Sequence, residues 1–96
     1  MDISVQELRD RLDGGETPHL IDVREPDEYA ADNLGGTLIP LGELPYRLDE
    51  LDGLQQEEII VHCRSGKRSA MARQILDENG FTNVRNLTGG MLAYRA

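Results

Sequence analysis

The residues with the clearest chemical potential stand together in one short stretch, HCRSGKRSA, at positions 62–70. This stretch contains the only cysteine of the chain, Cys63, together with three cations and a glycine. The thiolate is the nucleophilic form of cysteine, and neighbouring cations or the amino end of a helix lower the pKa of a thiol. The stretch therefore poses a choice between a reactive thiol in an anion-binding loop and a buried, inert cysteine that precedes a basic turn.

The charges around Cys63 favour the reactive interpretation. No acidic residue lies between Glu58 and Asp77, although the chain as a whole has a net charge of −8. A solvated basic face would account for the cations of this window, but it would not account for the placement of the cysteine and of Gly66. The cations are Arg64, Lys67, Arg68 and Arg73.

The segments on either side of the stretch indicate how the thiol is positioned. The apolar run EIIV at 58–61 is typical of a strand buried on both faces, and a helix is predicted from about Ser69 to Asn79. The loop between them can turn its backbone N–H groups toward one point, and Gly66 can take a left-handed conformation there. We therefore expect Cys63 to lie at the amino end of a helix, in a loop that binds anions.

The remaining segments alternate between strand and helix patterns. Strand patterns occur at 19–23, 37–39 and 83–87, whereas helix patterns follow Ser4 and Pro26, span the leucines of 41–51 and follow the tight turn expected at Gly89-Gly90. This alternation predicts an α/β domain with a mostly parallel central sheet. In such sheets the functional loops lie at the carboxyl ends of the strands, so the loops after 19–23 and after 58–61 are expected to meet.

Length and composition exclude several classes of protein. The chain has 96 residues and is expected to form one domain, 1–96, while one cysteine and two separated histidines argue against a metal site. The net charge of −8 argues against nucleic acid or an anionic membrane as a partner. No apolar run approaches the roughly 18 residues of a membrane span, and no charged-then-apolar leader opens the chain, so a cytoplasmic monomer is expected.

Three segments of the chain resemble the single-domain rhodaneses, a family of sulfurtransferases. They are IDVREPDEY at 21–29, IIVHCRSGKRSA at 59–70 and NLTGGMLAY at 86–94. The resemblance implies a three-layer α/β domain with a central five-stranded, mostly parallel sheet flanked by helices. It also implies that a sulfane sulfur passes from an anionic donor such as thiosulfate to a thiophilic acceptor such as cyanide or a protein thiol. The sulfur would travel as a cysteine persulfide, and no cofactor is expected.

The resemblance also implies roles for individual residues. Cys63 would be the nucleophile and persulfide carrier, backbone N–H groups of the following loop would surround the persulfide, and side-chain cations would hold the donor. The loop residues are Arg64, Ser65, Gly66, Lys67, Arg68 and Ser69. Outside the loop, the buried carboxylate of Asp22 needs a partner, and Arg24 is a candidate, although Arg24 could equally pair with Glu25 or Glu28. An ion pair that braces the loop is expected rather than a catalytic role. His62 is expected to be a hydrogen-bonded structural residue that points away from the cysteine side of its strand.

Two other functions stay open at this point. Phosphatases of the same fold separate the cysteine and the arginine of their loop by five residues, whereas four residues separate Cys63 from Arg68, which favours sulfur transfer. The other alternative is a sulfur-relay module that docks a thiol or sulfur-carrier protein and has low activity alone. The run ADNLGGTLIP at 31–40 resembles such modules, since Asp32 stands where many rhodaneses have histidine.

Overall fold

A parallel sheet flanked by helices forms the frame of the chain, and the computed structural model describes residues 2–96. The strands are β1 (His19–Asp22), β2 (Thr37–Leu38), β3 (Ile59–His62) and β4 (Val84–Asn86). Every pair of neighbouring strands is parallel, and their order across the sheet is β2-β1-β3-β4. The α/β class and the parallel sheet predicted from the alternating pattern are therefore confirmed.

The sheet of the described chain has four strands, whereas the family resemblance implies five. Beside β4, where a fifth strand would lie, Ile3 forms only an isolated parallel bridge with Leu87. The Ile3 N–H donates to the carbonyl of Asn86 at 3.0 Å. The next residue, Ser4, already caps the first helix, so the chain leaves the sheet before a longer strand can form.

The helices begin and end at residues that favour these positions. They are α1 (Val5–Asp13), α2 (Pro26–Ala31), α3 (Lys67–Glu78) and α4 (Gly90–Tyr94). Ser4 Oγ accepts the backbone N–H of Glu7 at 3.0 Å, which satisfies one of the free donors at the start of α1. Pro26 occupies the first turn of α2, where its missing N–H has no cost. In the described chain, no helix combines the length and the apolar character needed to cross a membrane.

The leucine-rich segment 41–51 differs from the predicted α-helix. It forms two 3-10 helices, Leu41–Tyr46 and Leu48–Leu51. Pro45 lies inside the first of them and has no N–H to donate, and Arg47 between them has a φ of −124°, outside the helical region. The leucines nevertheless pack on one side of the segment against the core, as their spacing predicts: Leu41, Leu44, Leu48 and Leu51.

Apolar side chains fill both faces of the sheet, and the strand register decides which face each residue joins. Ile59 and Val61 of β3 pack in the same cluster as Ala72 and Leu76 of α3. Ile60 joins the opposite cluster, which contains residues of α1 and α4. Because side chains alternate along a strand, Cys63 falls on the α3 side, in the cluster of Val61.

A buried ion pair joins the end of β1 to α2. Asp22 is fully buried, and Arg24 donates to its carboxylate from Nε at 2.9 Å and from Nη2 at 2.7 Å. The same guanidinium donates to the carbonyls of Glu28 at 3.3 Å and Asp32 at 2.7 Å. These carbonyls lie in the last turn and at the end of α2, where helices leave acceptors unpaired. Arg24 therefore fixes α2 against the sheet.

Replacing Arg24 tests the contribution of this pair. Arg24→Ala is expected to lower the free energy of unfolding by about 3–5 kcal/mol, because it leaves the Asp22 carboxylate buried without a partner. Urea denaturation measures the change. Arg47→Ala is the matched control, since Arg47 pairs with exposed Glu43 and Glu50 and its loss should cost less than about 1 kcal/mol. Equal losses in the two variants would contradict the role of Arg24.

Candidate active site

The two loops expected to meet lie next to each other at the carboxyl end of the sheet. In the pairing of β1 with β3, Asp22 is opposite His62, so the residues that follow both strands leave the sheet side by side. Gly66 ends the loop after β3 with a φ of 107° and a ψ of −10°, and α3 begins at the next residue. The left-handed conformation predicted for Gly66 is present, and it starts α3 two residues earlier than the predicted Ser69.

Cys63 lies beneath this loop with its sulfur at the amino end of α3. Its side chain is buried, with only 1% of the residue exposed. Sγ accepts the backbone N–H of Gly66 at 3.1 Å and that of Ser69 at 3.4 Å. The Ser69 hydroxyl lies 3.3 Å from Sγ. Three polar groups therefore converge on the sulfur, and two of them are fixed backbone donors.

The environment of Cys63 favours the thiolate. Burial raises the pKa of the Cys63 thiol, but the hydroxyl and N–H of Ser69 and the backbone N–H groups of Gly66 and Ser65 lower it. The hydrogen bonds outweigh the burial, and the pKa lies below the ordinary value for cysteine. A thiol that ionises more readily than usual and faces fixed donors can act as a nucleophile toward an electrophilic sulfur.

The cations of the loop differ in whether they form an ion pair with a carboxylate. Arg64 and Lys67 are exposed, and neither forms an ion pair with a carboxylate of residues 2–96. Arg68 instead makes a bidentate pair with Glu28 of α2, with distances of 2.7 and 2.9 Å. Hydrogen bonding to Arg68 lowers the pKa of Glu28 to about 2, so the pair is ionised at neutral pH. Arg68 is therefore held by a neighbour in this structure.

Although no acidic residue lies between Glu58 and Asp77 in the sequence, two cations of this stretch contact carboxylates in the folded chain. Besides the Arg68–Glu28 pair, Arg73 lies 3.1 Å from the Asp2 carboxylate and 3.8 Å from that of Asp77. Two of the four cations in the window are thus compensated by carboxylates from outside it. The absence of acidic residues along this stretch of sequence therefore does not mean that its cations lack acidic partners in the fold.

The amino end of α4 packs directly on the cysteine loop. The N–H of Met91 donates to the carbonyl of Cys63 at 2.9 Å, and the N–H of Leu92 donates to that of Arg64 at 3.0 Å. A Cβ at Gly90 would lie 2.5 Å from the first carbonyl oxygen and 2.6 Å from the second. Gly90 thus allows a close approach of backbone to backbone, in addition to the tight turn predicted for the glycine pair. This tie to the loop was not anticipated from the sequence.

Asn86 is a further residue that sequence reasoning missed. It lies at the end of β4 and is 9% exposed. Its Oδ1 accepts the Ser69 hydroxyl at 2.6 Å, and its Nδ2 donates to the Gly66 carbonyl at 3.2 Å. A polar side chain at the carboxyl end of a strand inside the segment NLTGGMLAY was the available signal.

His62 lies on the opposite side of β3 from the thiol, as expected from strand alternation, but it is not hydrogen-bonded. Neither ring nitrogen has a partner among residues 2–96, and Nε2 is 3.8 Å from the Asp22 carboxylate. Burial lowers the pKa of His62 to about 4, although Asp22 acts in the raising direction and Arg24 lowers it further. The expected hydrogen bond is therefore absent among residues 2–96, and the nearby Asp22 carboxylate accepts hydrogen bonds from Arg24 instead.

A pocket of about 460 Å³ lies between α2, α4 and the start of the cysteine loop. Four of its five charged lining residues are compensated: Arg24 by Asp22, Glu28 by Arg68, and Asp32 and Arg95 by each other. Arg64 is the lining cation without a carboxylate partner among residues 2–96, and Leu92 adds an apolar surface that is 51% exposed. Among residues 2–96, no cluster of histidine, cysteine and acidic side chains could hold a metal ion.

Comparison with known proteins identifies the family. The family model of the rhodanese-like domain matches residues 4–96. The chain belongs to the rhodanese-like domain family. The resemblance carried by its three segments is thereby confirmed, and the four-stranded sheet belongs to a member of that family.

This rhodanese-like domain is similar to proteins named for sulfur transfer. It is 36% identical over 72 residues to thiosulfate sulfurtransferase PspE of Escherichia coli, with 74% of this chain and 69% of PspE covered. It is 37% identical over 91 residues to the "Putative sulfur carrier protein YrkF" of Bacillus subtilis, with 94% of this chain covered. The chain spans only 48% of YrkF. The structure of the human single domain sulfurtransferase TSTD1 is 30% identical, with a TM-score of 0.83, and the match covers 98% of this chain and 94% of TSTD1.

The close approach at Gly90 predicts an effect of substitution. Gly90→Ala is expected to lower the free energy of unfolding of this rhodanese-like domain by about 2–4 kcal/mol, because the added methyl group meets two carbonyls and the residue has a φ of 58°. Urea denaturation checks the change. Gly42→Ala is the control, since a Cβ there meets nothing within 4 Å, and its effect should stay within about 0.5 kcal/mol. A Gly90→Ala variant as stable as the control would show that α4 can retreat from the loop without cost.

Proposed function

We propose that this rhodanese-like domain is a sulfurtransferase that carries a sulfane sulfur on Cys63 as a persulfide. The observation that carries the proposal is the pair of backbone N–H groups, from Gly66 and Ser69, that point at Sγ from the amino end of α3. The names of similar proteins support transfer of sulfur as the reaction class. A cytoplasmic location and a monomeric state stay predictions from the sequence.

The reaction proposed has two displacement steps. The Cys63 thiolate attacks the outer sulfur of an anionic donor such as thiosulfate, the sulfur–sulfur bond of the donor breaks, and sulfite leaves with the bonding electrons. The enzyme then holds the anion Cys63–S–S⁻. A thiophilic acceptor, cyanide or a thiolate, attacks the terminal sulfur, and the bond between the two sulfurs of the persulfide breaks to restore the Cys63 thiolate. Fixed N–H dipoles stabilise the anionic sulfur in both steps without reorganising.

The donor would meet two kinds of cation at the loop. Arg64 and Lys67 are free of carboxylate partners among the described residues and are available to attract an anion. Arg68 must first leave, or share, the carboxylate of Glu28. Glu28 therefore competes with the donor for Arg68, and the affinity for a dianion should reflect this competition.

The first test is direct detection of the persulfide. After incubation with thiosulfate and removal of excess donor, intact mass spectrometry should show a gain of one sulfur atom in the wild type and none in Cys63→Ser. Added cyanide should remove the gain and release thiocyanate. Ser65→Ala is the matched loop control, because the Ser65 side chain is exposed and its backbone N–H is retained. A sulfur gain, or thiosulfate:cyanide activity, that survives in Cys63→Ser would exclude Cys63 as the carrier.

The second test concerns the donor site. Arg68→Ala is expected to raise the KM for thiosulfate about twofold to fivefold, since it removes a cation and leaves Glu28 uncompensated near the loop. Glu28→Gln should lower the KM by a similar factor, because it frees Arg68 for the donor. Steady-state kinetics measures both, and kcat should change less than KM. If both variants shift KM in the same direction, Glu28 and Arg68 act as a structural pair and do not compete for the donor.

A sulfur-relay module that docks a partner protein is the second candidate. It is favoured by the pocket beside the loop, where Leu92 is exposed and where Arg64 is the one charged lining residue without a carboxylate partner among residues 2–96. A thiol or sulfur-carrier protein docked in this pocket would lie beside the start of the cysteine loop, next to Arg64. A persulfide that persists in cyanide but is lost rapidly to a protein thiol would favour the relay. Rapid turnover with cyanide would favour a free-standing enzyme.

Phosphatase activity is less well supported. A phosphate cradle needs several converging donors around a tetrahedral anion, including a bidentate arginine. The loop has only four residues between Cys63 and Arg68, and that arginine is held by Glu28. Hydrolysis of p-nitrophenyl phosphate that depends on Cys63 would reverse this preference.

A further inference from the structure

The side-chain amide of Asn86 connects two parts of the cysteine site. Its Nδ2 donates to the Gly66 carbonyl at 3.2 Å, and its Oδ1 lies 2.6 Å from the Ser69 hydroxyl. Ser69 is fully buried and Asn86 is 9% exposed, so water has little access to these groups. Each polar atom of the cluster must therefore find its partner within the protein.

The Gly66 carbonyl determines which way the amide faces. A carbonyl can only accept hydrogen bonds, so the group that faces it must be the Nδ2 of Asn86. The reversed amide would place Oδ1 against the carbonyl oxygen, with two acceptors in contact and no proton between them. Oδ1 is consequently directed at Ser69, and it must receive the hydroxyl proton because an amide oxygen cannot donate.

This orientation gives the hydrogen bonds at Cys63 a direction. Ser69 has one hydroxyl proton, and in the thiol form Asn86 Oδ1 holds it at 2.6 Å. The lone pairs of Ser69 Oγ then face Sγ at 3.3 Å, where the Cys63 thiol can donate. When the thiol loses its proton, the sulfur becomes a charged acceptor, and hydrogen bonds to charged acceptors are the stronger ones. The Ser69 hydroxyl is then expected to donate its hydrogen bond to Sγ instead of to Asn86 Oδ1.

We propose that Asn86 is a positioning residue that competes with the Cys63 sulfur for the single proton of the Ser69 hydroxyl. It holds the hydroxyl away from the sulfur in the thiol and yields it to the thiolate. This inference rests on the proposed function in one respect: when sulfur leaves the persulfide, the electron pair of the broken bond goes to Sγ, and Ser69 can then stabilise the new thiolate. The competition itself is a property of the resting thiol and needs no sulfur donor.

The test measures how the reactivity of Cys63 depends on pH. The rate of alkylation by iodoacetamide follows the thiolate fraction, and Cys63 is the only cysteine of the chain. Asn86→Leu keeps a similar shape but removes the competitor, so the midpoint should move to lower pH. Below the midpoint the rate should rise about threefold to tenfold, the range of one net hydrogen bond. Ser69→Ala should move the midpoint to higher pH, because the thiolate loses its hydroxyl donor.

The double variant separates the proposal from a structural role. If Asn86 acts through the Ser69 proton, Asn86→Leu has no effect on the midpoint in the Ser69→Ala background. An effect that persists there, a shift of the single variant to higher pH, or no shift at all would overturn the proposal. Asn83→Ala is the matched control, since it removes an exposed asparagine just before β4, and its midpoint should equal that of the wild type.

Two features of the site are unchanged in these variants, so the shifts in the Cys63 midpoint can be compared directly. The Gly66 carbonyl retains the N–H of Ala70 at 3.1 Å when Asn86 is replaced, so the start of α3 keeps its own hydrogen bond. The charged side chains of the cysteine loop are Arg64, Lys67 and Arg68, the last of which pairs with Glu28, and no variant alters them.

A second measurement tests the proposal without replacing Asn86. In the wild type, the NMR signal of the Asn86 side-chain carbonyl carbon should move with the midpoint of Cys63, because Oδ1 loses its donor as the thiolate forms. In Ser69→Ala that movement should be absent. A signal that does not move in the wild type, or moves equally in Ser69→Ala, would overturn the proposal. Neither experiment requires sulfur transfer, so a failure of the proposed function would appear separately, as an absent persulfide.

Discussion

The peptide unit at Cys63 is the constraint on which the rest of the site depends. The Cys63 sulfur accepts the N–H groups of Gly66 and Ser69, while the Cys63 carbonyl accepts the N–H of Met91 from α4. The sulfur and the carbonyl are thus fixed by two helices from different sides of the sheet. In the proposed reaction, a thiol held in this way would lose little freedom when it meets a sulfur donor, and such positioning is one contribution that a protein makes to a displacement reaction.

Local features of this chain could be predicted from the sequence, because the residues that determine them are neighbours. The left-handed Gly66, the Ser4 cap of α1 and the position of Cys63 after a buried strand each depend on a few consecutive residues. The 3-10 geometry of 41–51 was missed because leucine spacing reports the buried side of a segment, whereas Pro45 alters its hydrogen bonding.

Contacts between distant segments could not be predicted in the same way. Arg68 and Glu28 are separated by 40 positions, and nothing in the basic window indicates that α2 supplies a carboxylate to it. The lack of a hydrogen-bond partner for His62 among residues 2–96 likewise depends on the fold, which places Asp22 of the neighbouring strand 3.8 Å from its Nε2. Asn86 was missed because an asparagine in a strand acquires chemical meaning only when the sheet brings it beside Ser69.

The glycine at the start of α4 bears on how this loop could be moved to another protein. A designer who transplanted HCRSGKRSA onto a foreign parallel sheet would carry over the thiol, the cations and the left-handed turn, but would leave behind the backbone that rests on the cysteine carbonyl. Since any side chain at Gly90 would collide with that carbonyl, the smallest portable unit includes Gly89-Gly90 and α4. The working motif is therefore discontinuous in sequence, with its second half beyond β4.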